Sequence, residues 1–163
     1  MSIEAGRAYF RQFGIEDRVL EFDVSSATVE LAAAALNTEG KRIAKSLSFK
    51  VGEQPILIIA AGDAKVDNKK YKETFGAKAK MLTPDEAVEL IGHAVGGVCP
   101  FGIKDSVKTY LDESLKRFDT VFPAVGGSNS AIELTIDELE KYAQNFVSWV
   151  DVCKAWQDEE NNG

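Results

Sequence analysis

The sequence contains very few of the residues that commonly form reactive or metal-binding sites. Its 163 residues include one histidine and two cysteines. Cys99 and Cys153 are too few for a disulfide framework, which favours a reducing cytoplasm as the compartment. One histidine and two distant cysteines also make no recognisable metal site, and no dinucleotide or phosphate-loop fingerprint is present. We therefore expect neither a metal nor a cofactor.

Long hydrophobic runs are also missing. The longest, at residues 56–61, is far shorter than the roughly 20 residues that span a bilayer. The N-terminus lacks the basic start and apolar core of a signal peptide. The hydrophobic content is nevertheless 45%, which is typical of a chain with one globular core. We predict one domain over residues 1–156, a polar tail at 157–163, and no membrane partner.

The charge of the chain is acidic overall but locally basic. The formal net charge of −7 argues against DNA or general nucleic-acid coating as a function. Residues 64–80 run against this trend, with six lysines and two acidic residues. The lysines are Lys65, Lys69, Lys70, Lys72, Lys78 and Lys80. This segment is either a solvated helix face or a surface that contacts a few phosphates.

The pattern of start and stop signals predicts a mixed α+β domain. Helices are expected at 4–13, 28–36, 67–75, 83–91 and 135–146, and about seven short strands lie between them. Two of these helices begin with a capping box, in which a threonine is followed three residues later by glutamate. These are Thr83 with Glu86 and Thr135 with Glu138.

One loop, at residues 92–102, concentrates unusual residues. It holds four glycines, a proline, the only histidine and one cysteine. Glycine allows positive φ angles and close backbone approach, so such a loop can aim its amide groups at a substrate oxygen. A second hypothesis is a Cys99 nucleophile with His93 as its base. A third is an ordinary turn after the preceding helix.

Three segments together resemble a known family. They are Lys45-Ser46-Leu47, the G-x-x-x-P loop from Gly96 to Gly102, and Gly126-Gly127 leading into Ile132-Glu133-Leu134. Their order and spacing are similar to those of the YbaK/EbsC family, which includes the editing domain inserted in bacterial prolyl-tRNA synthetases. The resemblance covers residues 3–152. It implies an α+β fold with a mixed, mostly antiparallel sheet curled into a pseudo-barrel with surrounding helices.

The resemblance also implies a function. Members of this family are mostly trans-acting aminoacyl-tRNA deacylases, which hydrolyse the ester bond of mischarged tRNA. The expected substrate is tRNA(Pro), or a similar tRNA, that carries a small non-cognate amino acid. A second hydrolytic site is needed because a synthetase pocket rejects smaller amino acids weakly. The expected partners are the 3′ acceptor end of the mischarged tRNA and an aminoacyl-tRNA synthetase.

The family's site residues are carried over by position. The resemblance implies catalytic roles for Lys45 and for Gly96 and Pro100 of the loop, whose backbone would orient the aminoacyl carbonyl. It implies that water, assisted by a ribose hydroxyl, attacks the ester without an enzyme nucleophile. The implied substrate contacts are Ser46, Gly97, Val98, Cys99, Phe101, Gly126, Gly127 and Ser128. Strand alternation places Ser46 on the opposite face from Lys45 unless a bulge intervenes.

One position departs from the family pattern, and two other functions stay open. Cysteine-specific relatives carry an aspartate where this chain has Ala131, which argues against cysteine specificity. The first alternative is a non-catalytic module that binds tRNA or a synthetase. The second is a thiol-dependent hydrolase of a small ester, which alkylation of Cys99 would inactivate.

Overall fold

The computed structural model describes residues 2–156; the predicted polar tail at 157–163 lies outside the described residues. The helices are α1 (Ser2–Arg11), α2 (Val29–Leu36), α3 (Asn68–Phe75), α4 (Pro84–Glu86, continued by a π-helical turn over Ala87–Ile91) and α5 (Ile136–Tyr142). The strands are β1 (Leu20–Glu21), β2 (Ile43–Val51), β3 (Gln54–Ala61), β4 (Lys65–Val66), β5 (Lys108–Asp112), β6 (Thr120–Pro123), β7 (Ser130–Ala131), β8 (Leu134–Thr135), β9 (Phe146–Val150) and β10 (Cys153–Lys154).

The helix starts follow from local side-chain caps. Both predicted capping boxes form, at Thr83 and at Thr135, with the threonine hydroxyl and the glutamate each accepting a backbone N–H. Thr28 caps α2 by accepting from the Leu31 N–H at 3.1 Å, and Asp67 caps α3 in the same way. These caps satisfy amide groups that have no partner inside a helix.

The central sheet has the strand order β8-β6-β2-β3-β5-β9 and curls into a half-barrel. Its pairings are mixed, since β2–β3 and β6–β8 are antiparallel, whereas β2–β6, β3–β5 and β5–β9 are parallel. Two antiparallel two-stranded ladders, β1–β7 and β4–β10, flank it. The predicted α+β class with a curled mixed sheet is confirmed.

The core lies around β3. Residues 56–61 of this strand are at most 1% exposed, as expected for a strand covered on both faces. One end of the core is aromatic, where Phe10 packs on Phe101 with ring centroids 4.5 Å apart. In the described part of the chain, no helix is long and apolar enough to cross a membrane.

Some element boundaries differ from the sequence prediction. Residues 130–135 form two short strands instead of one, because β7 pairs with β1 whereas β8 pairs with β6. The last predicted helix ends at Tyr142 rather than near residue 146, because the chain leaves helical geometry at Ala143 and Asn145 adopts a φ of 61°. The β4–β10 ladder was not predicted, since two-residue strands leave no periodic pattern.

Candidate active site

A cleft of about 340 Å³ opens along one side of β2. Five parts of the chain form it: the segment entering α2, strand β2, the segment around residue 81, the segment around residue 96, and the β6–β7 region. The lining residues are Ser26, Ala27, Thr28, Val29, Ala32, Ile43, Ala44, Lys45, Ser46, Leu47, Ser48, Met81, Leu82, Val95, Gly96, Val98, Phe122, Ala124, Ser130 and Ala131.

The cleft occupies a gap in the pairing along one edge of β2. The ladder with β6 ends at Ala44. The segment at residues 80–82 takes over further along, with bonds from Lys50 N to Lys80 O (2.9 Å) and from Leu82 N to Ser48 O (3.1 Å). Alternate residues of a strand point their N–H and C=O groups to the same edge. The peptide groups of Ser46, between these two ladders, therefore point into the cleft.

The side chain of Ser46 adds a further unused polar group. Its Oγ is buried and has no hydrogen-bond partner in the described structure. Lys45 and Ser46 both line the cleft, even though neighbouring side chains of a strand project to opposite faces.

The Lys45 ammonium is held beside the cleft by backbone carbonyls. Its Nζ donates to the carbonyl oxygen of Gly62 at 3.3 Å and to that of Ala64. Burial lowers the pKa of Lys45, and the nearby charge of Lys65 acts in the same direction, whereas Cys153 acts against it. An ammonium has three donors, so one remains for a substrate oxygen.

The predicted glycine loop contributes to the cleft only at its tip. Gly96 and Val98 line it, and Gly96 adopts a φ of 94° that favours glycine. The Gly97 N–H is used inside the loop, where it donates to Ala94 O at 3.0 Å. The Gly97 amide is therefore already occupied. Of the predicted loop residues, Gly96 and Val98 are the ones whose amide groups we still expect to donate to a substrate oxygen.

The second half of the loop faces the core instead of the cleft. Cys99 and Phe101 are 0% exposed, and none of Cys99, Pro100 and Phe101 lines the cleft. The Pro100 carbonyl accepts the backbone N–H of Gln144 at 2.9 Å. The structure thus places these three predicted site residues behind the loop, where they anchor it.

The loop at residues 126–130 supports the cleft from outside its lining. Ser128 O accepts the Ser26 N–H at 2.6 Å, which holds the segment entering α2. Gly126 packs so closely on Gly97 that a Cβ on Gly97 would lie 2.5 Å from Gly126 O. Gly126, Gly127 and Ser128, predicted as substrate contacts, do not themselves line the cleft.

Several lining residues were not found from the sequence. The start of α2 borders the cleft at residues 26–29, and Met81 and Leu82 close one side. The Thr28 cap signalled a helix start, but only the β2–β6 pairing shows which surface that helix start faces. Among residues 2–156, no group of three or more His, Cys, Asp or Glu side chains is placed to hold a metal ion.

The lysines of residues 64–80 are spread over β4, α3 and the segment that follows. Five of them are exposed, and the sixth, Lys70, is half-buried. The Nζ of Lys70 donates to an Asp151 carboxylate oxygen and to Cys153 O, both at 3.0 Å. The first residue of this basic segment, Ala64, accepts a hydrogen bond from Lys45 through its carbonyl, and the residue that follows the segment, Met81, lines the cleft.

Comparison with known proteins gives consistent similarities. The sequence profile of the aminoacyl-tRNA editing domain matches residues 24–142. An uncharacterized protein, YwhH, of Bacillus subtilis (strain 168) is 56% identical over 158 residues, which is 96% of this chain and 100% of YwhH. The proline–tRNA ligase of Lactiplantibacillus plantarum is 29% identical over 109 residues, 66% of this chain but only 19% of the ligase. A crystal structure described as a candidate trans-editing enzyme for prolyl-tRNA synthetase superposes with a TM-score of 0.82 at 28% identity, covering 94% of this chain and 98% of that one.

Proposed function

Because the chain belongs to the aminoacyl-tRNA editing domain family, we propose that it hydrolyses the ester bond between a non-cognate amino acid and the 3′ end of a tRNA. One observation carries this proposal: Lys45 and Ser46 both line the cleft, and Ser46 lies in the gap between the two ladders on one edge of β2. Both are held by the fold without a ligand. Such preorganised donors are what ester hydrolysis requires, because negative charge develops on the carbonyl oxygen.

The reaction needs donors rather than an enzyme nucleophile. Water adds to the ester carbonyl carbon, the bond from that carbon to the ribose oxygen breaks, and the ribose oxygen takes up a proton. A neighbouring ribose hydroxyl assists the water. The Lys45 ammonium and the Ser46 N–H stabilise the oxyanion of the tetrahedral intermediate. Loss of a donor of this kind typically slows hydrolysis about 10²- to 10³-fold.

The apolar part of the cleft lining favours a small apolar side chain on the substrate. Ala32, Ala124 and Ala131 form part of the lining, together with Val29 and Phe122. An apolar wall of this kind provides no hydrogen-bond partner for a polar substrate side chain. We propose alanine as the amino acid removed and, from the similarity to proline–tRNA ligases and to a candidate trans-editing enzyme for prolyl-tRNA synthetase, tRNA(Pro) as its carrier.

The test is a panel of charged tRNAs incubated with the purified protein. We expect release of alanine from tRNA(Pro), slower release of cysteine, and little release of proline. Lys45→Met should reduce kcat on alanyl-tRNA(Pro) about 100-fold or more. Lys50→Met is the matched control. Lys50 lies on the same strand, but it forms a salt bridge with Glu86, and neither residue lines the cleft. Both variants should retain the circular dichroism spectrum of the wild type.

Two outcomes would contradict the proposal. Absence of turnover on every charged tRNA in the panel would exclude deacylation. Tight binding of uncharged tRNA or a synthetase in the same protein would then favour the non-catalytic binding module. Equal loss of activity in the Lys45 and Lys50 variants would show that Lys45 has no specific role.

A further inference from the structure

Two exposed lysines face each other across the β4–β10 ladder. The register pairs Lys65 with Lys154 directly. Both are exposed, and directly opposite residues of an antiparallel pair share one face with Cβ atoms about 5 Å apart. Like charges in this arrangement are destabilising. In the described part of the chain, neither lysine forms a salt bridge.

Two carboxylates that flank the ladder in the sequence, Asp67 and Asp151, have other partners. Asp67 caps α3 by accepting the backbone N–H groups of Lys69 and Lys70 at 2.9 and 3.1 Å, although its charge also interacts with that of Lys154. Asp151 pairs with Lys70 at 3.0 Å. The two facing lysines therefore keep a concentrated positive charge on a protein whose net charge is −7.

The lysine pair lies next to the proposed catalytic ammonium. Lys65 follows Ala64, whose carbonyl accepts from Lys45 Nζ. The charge of Lys65 acts on Lys45, whose pKa it helps to lower together with burial, and Lys154 is paired with Lys65 across the ladder. The lysine pair is thus connected to Lys45 through the start of β4.

We propose that Lys65 and Lys154 together bind the sugar-phosphate backbone of the tRNA near its 3′ end while the aminoacyl ester lies beside Lys45. This inference rests on the proposed function and adds a docking surface to it. A phosphate between the two ammonium groups would relieve their mutual repulsion and form charge-assisted hydrogen bonds. The contact is independent of base identity, so it positions the end of any tRNA and leaves discrimination to the cleft.

The test compares a substrate with phosphates and one without. The double variant K65Q/K154Q is assayed on full-length alanyl-tRNA(Pro) and on alanyl-adenosine, which has no phosphate. We expect KM for the tRNA to rise about tenfold or more, with at least tenfold less effect on kcat/KM for the nucleoside ester. The slope of log(kcat/KM) for tRNA against log salt should become less negative by roughly one to two. K65R/K154R should restore tRNA activity.

The matched control is K108Q/K141Q, which removes the same charge from two exposed lysines that do not line the cleft. Equal KM values and salt slopes in the two double variants would overturn the proposal. Equal losses on tRNA and on alanyl-adenosine would also overturn it, by pointing to a disturbed cleft. If the wild type hydrolyses neither substrate, the proposed function fails. Titration with uncharged tRNA(Pro) then tests the docking surface by itself. Weaker tRNA binding by K65Q/K154Q than by the wild type would support the docking surface, and unchanged binding would refute it.

Discussion

The Sγ atom of Cys99 lies 3.5 Å from Nε2 of His93, and both groups are fully buried. They share one acceptor, the carbonyl oxygen of Phe101, at 2.8 Å from Nε2 and 3.4 Å from Sγ. A carbonyl oxygen only accepts, so Nε2 carries the proton of the neutral ring and cannot act as the base for the thiol. The pair that suggested a nucleophile in the sequence is thus a buried structural contact.

The first prediction concerns the reactivity of the two cysteines. Burial raises the pKa of the Cys99 thiol to about 12 and that of Cys153 to about 12 as well. We therefore expect titration of the native protein with a disulfide reagent near pH 8 to find no fast-reacting thiol, and the unfolded protein to show two. Cys99→Ser should keep deacylase activity within about threefold. Rapid inactivation of the native wild type by iodoacetamide would instead support the thiol-dependent hydrolase.

The second prediction is a loss of stability in mild acid caused by His93. Burial lowers the pKa of this histidine below its usual 6.5, and its Nδ1 is buried without a partner. Below pH 6.5 the unfolded state therefore binds more protons than the folded state. The stabilising contribution is fully present above pH 6.5 and is lost as the pH falls. The free energy of unfolding should decrease between pH 7.5 and 5.5, by up to about 1.4 kcal/mol per pH unit below 6.5.

The control for this effect is His93→Gln. Its amide can still donate to the Phe101 carbonyl, but it does not titrate. Denaturant unfolding of both proteins across this pH range should give a wild-type curve that declines and a variant curve that is flatter. Parallel curves would assign the acid sensitivity to other groups.

Features controlled by neighbouring residues could be predicted from the sequence. The capping boxes at Thr83 and Thr135 identify both helix starts, because their hydrogen bonds span only three residues. The hydrophobic run at 56–61 was equally clear, and it forms the buried part of β3. The three motifs, taken together, were sufficient to identify the family.

Features controlled by distant pairing could not be predicted. The cleft exists because β6 pairs with only the first two residues of β2 and the segment at 80–82 pairs with its far end. No local pattern encodes where those ladders stop. The same limit applies to the inward direction of Cys99 and Phe101, which depends on how the loop packs against Gln144.

The third prediction concerns Gly97. It tests whether the close packing of Gly97 on the loop at residues 126–130 supports the cleft, as distinct from the cost of replacing any glycine. A Cβ at this position would lie 2.5 Å from Gly126 O and 2.9 Å from Gly127 N. These are backbone atoms, so both loops must move. We expect Gly97→Ala to lower the free energy of unfolding by about 1 to 3 kcal/mol and to reduce deacylation, because Gly96 and Val98 would shift with it.

The comparison variant is Gly52→Ala, in the hairpin between β2 and β3. Gly52 has a φ of 60°, but a Cβ there would meet nothing within 4 Å. Its cost should be only the backbone strain, about 1 kcal/mol, with activity per folded molecule unchanged. Similar activity losses in the two variants, measured at equal folded fraction, would refute a specific role for the packing of the two loops.

The last prediction concerns the hydroxyl of Ser46. Burying a hydroxyl without a partner costs free energy, and removing it leaves no donor or acceptor unpaired. Ser46→Ala should therefore leave the free energy of unfolding within about 1 kcal/mol of the wild type or raise it. If the hydroxyl instead binds the substrate ester or ribose, KM for alanyl-tRNA(Pro) should rise about fivefold or more. Ser48→Ala is the control, because it removes a second serine hydroxyl from the same strand and the same cleft lining. Wild-type kinetics in Ser46→Ala would leave the peptide groups of Ser46, rather than its side chain, as the feature of this residue that acts on the substrate.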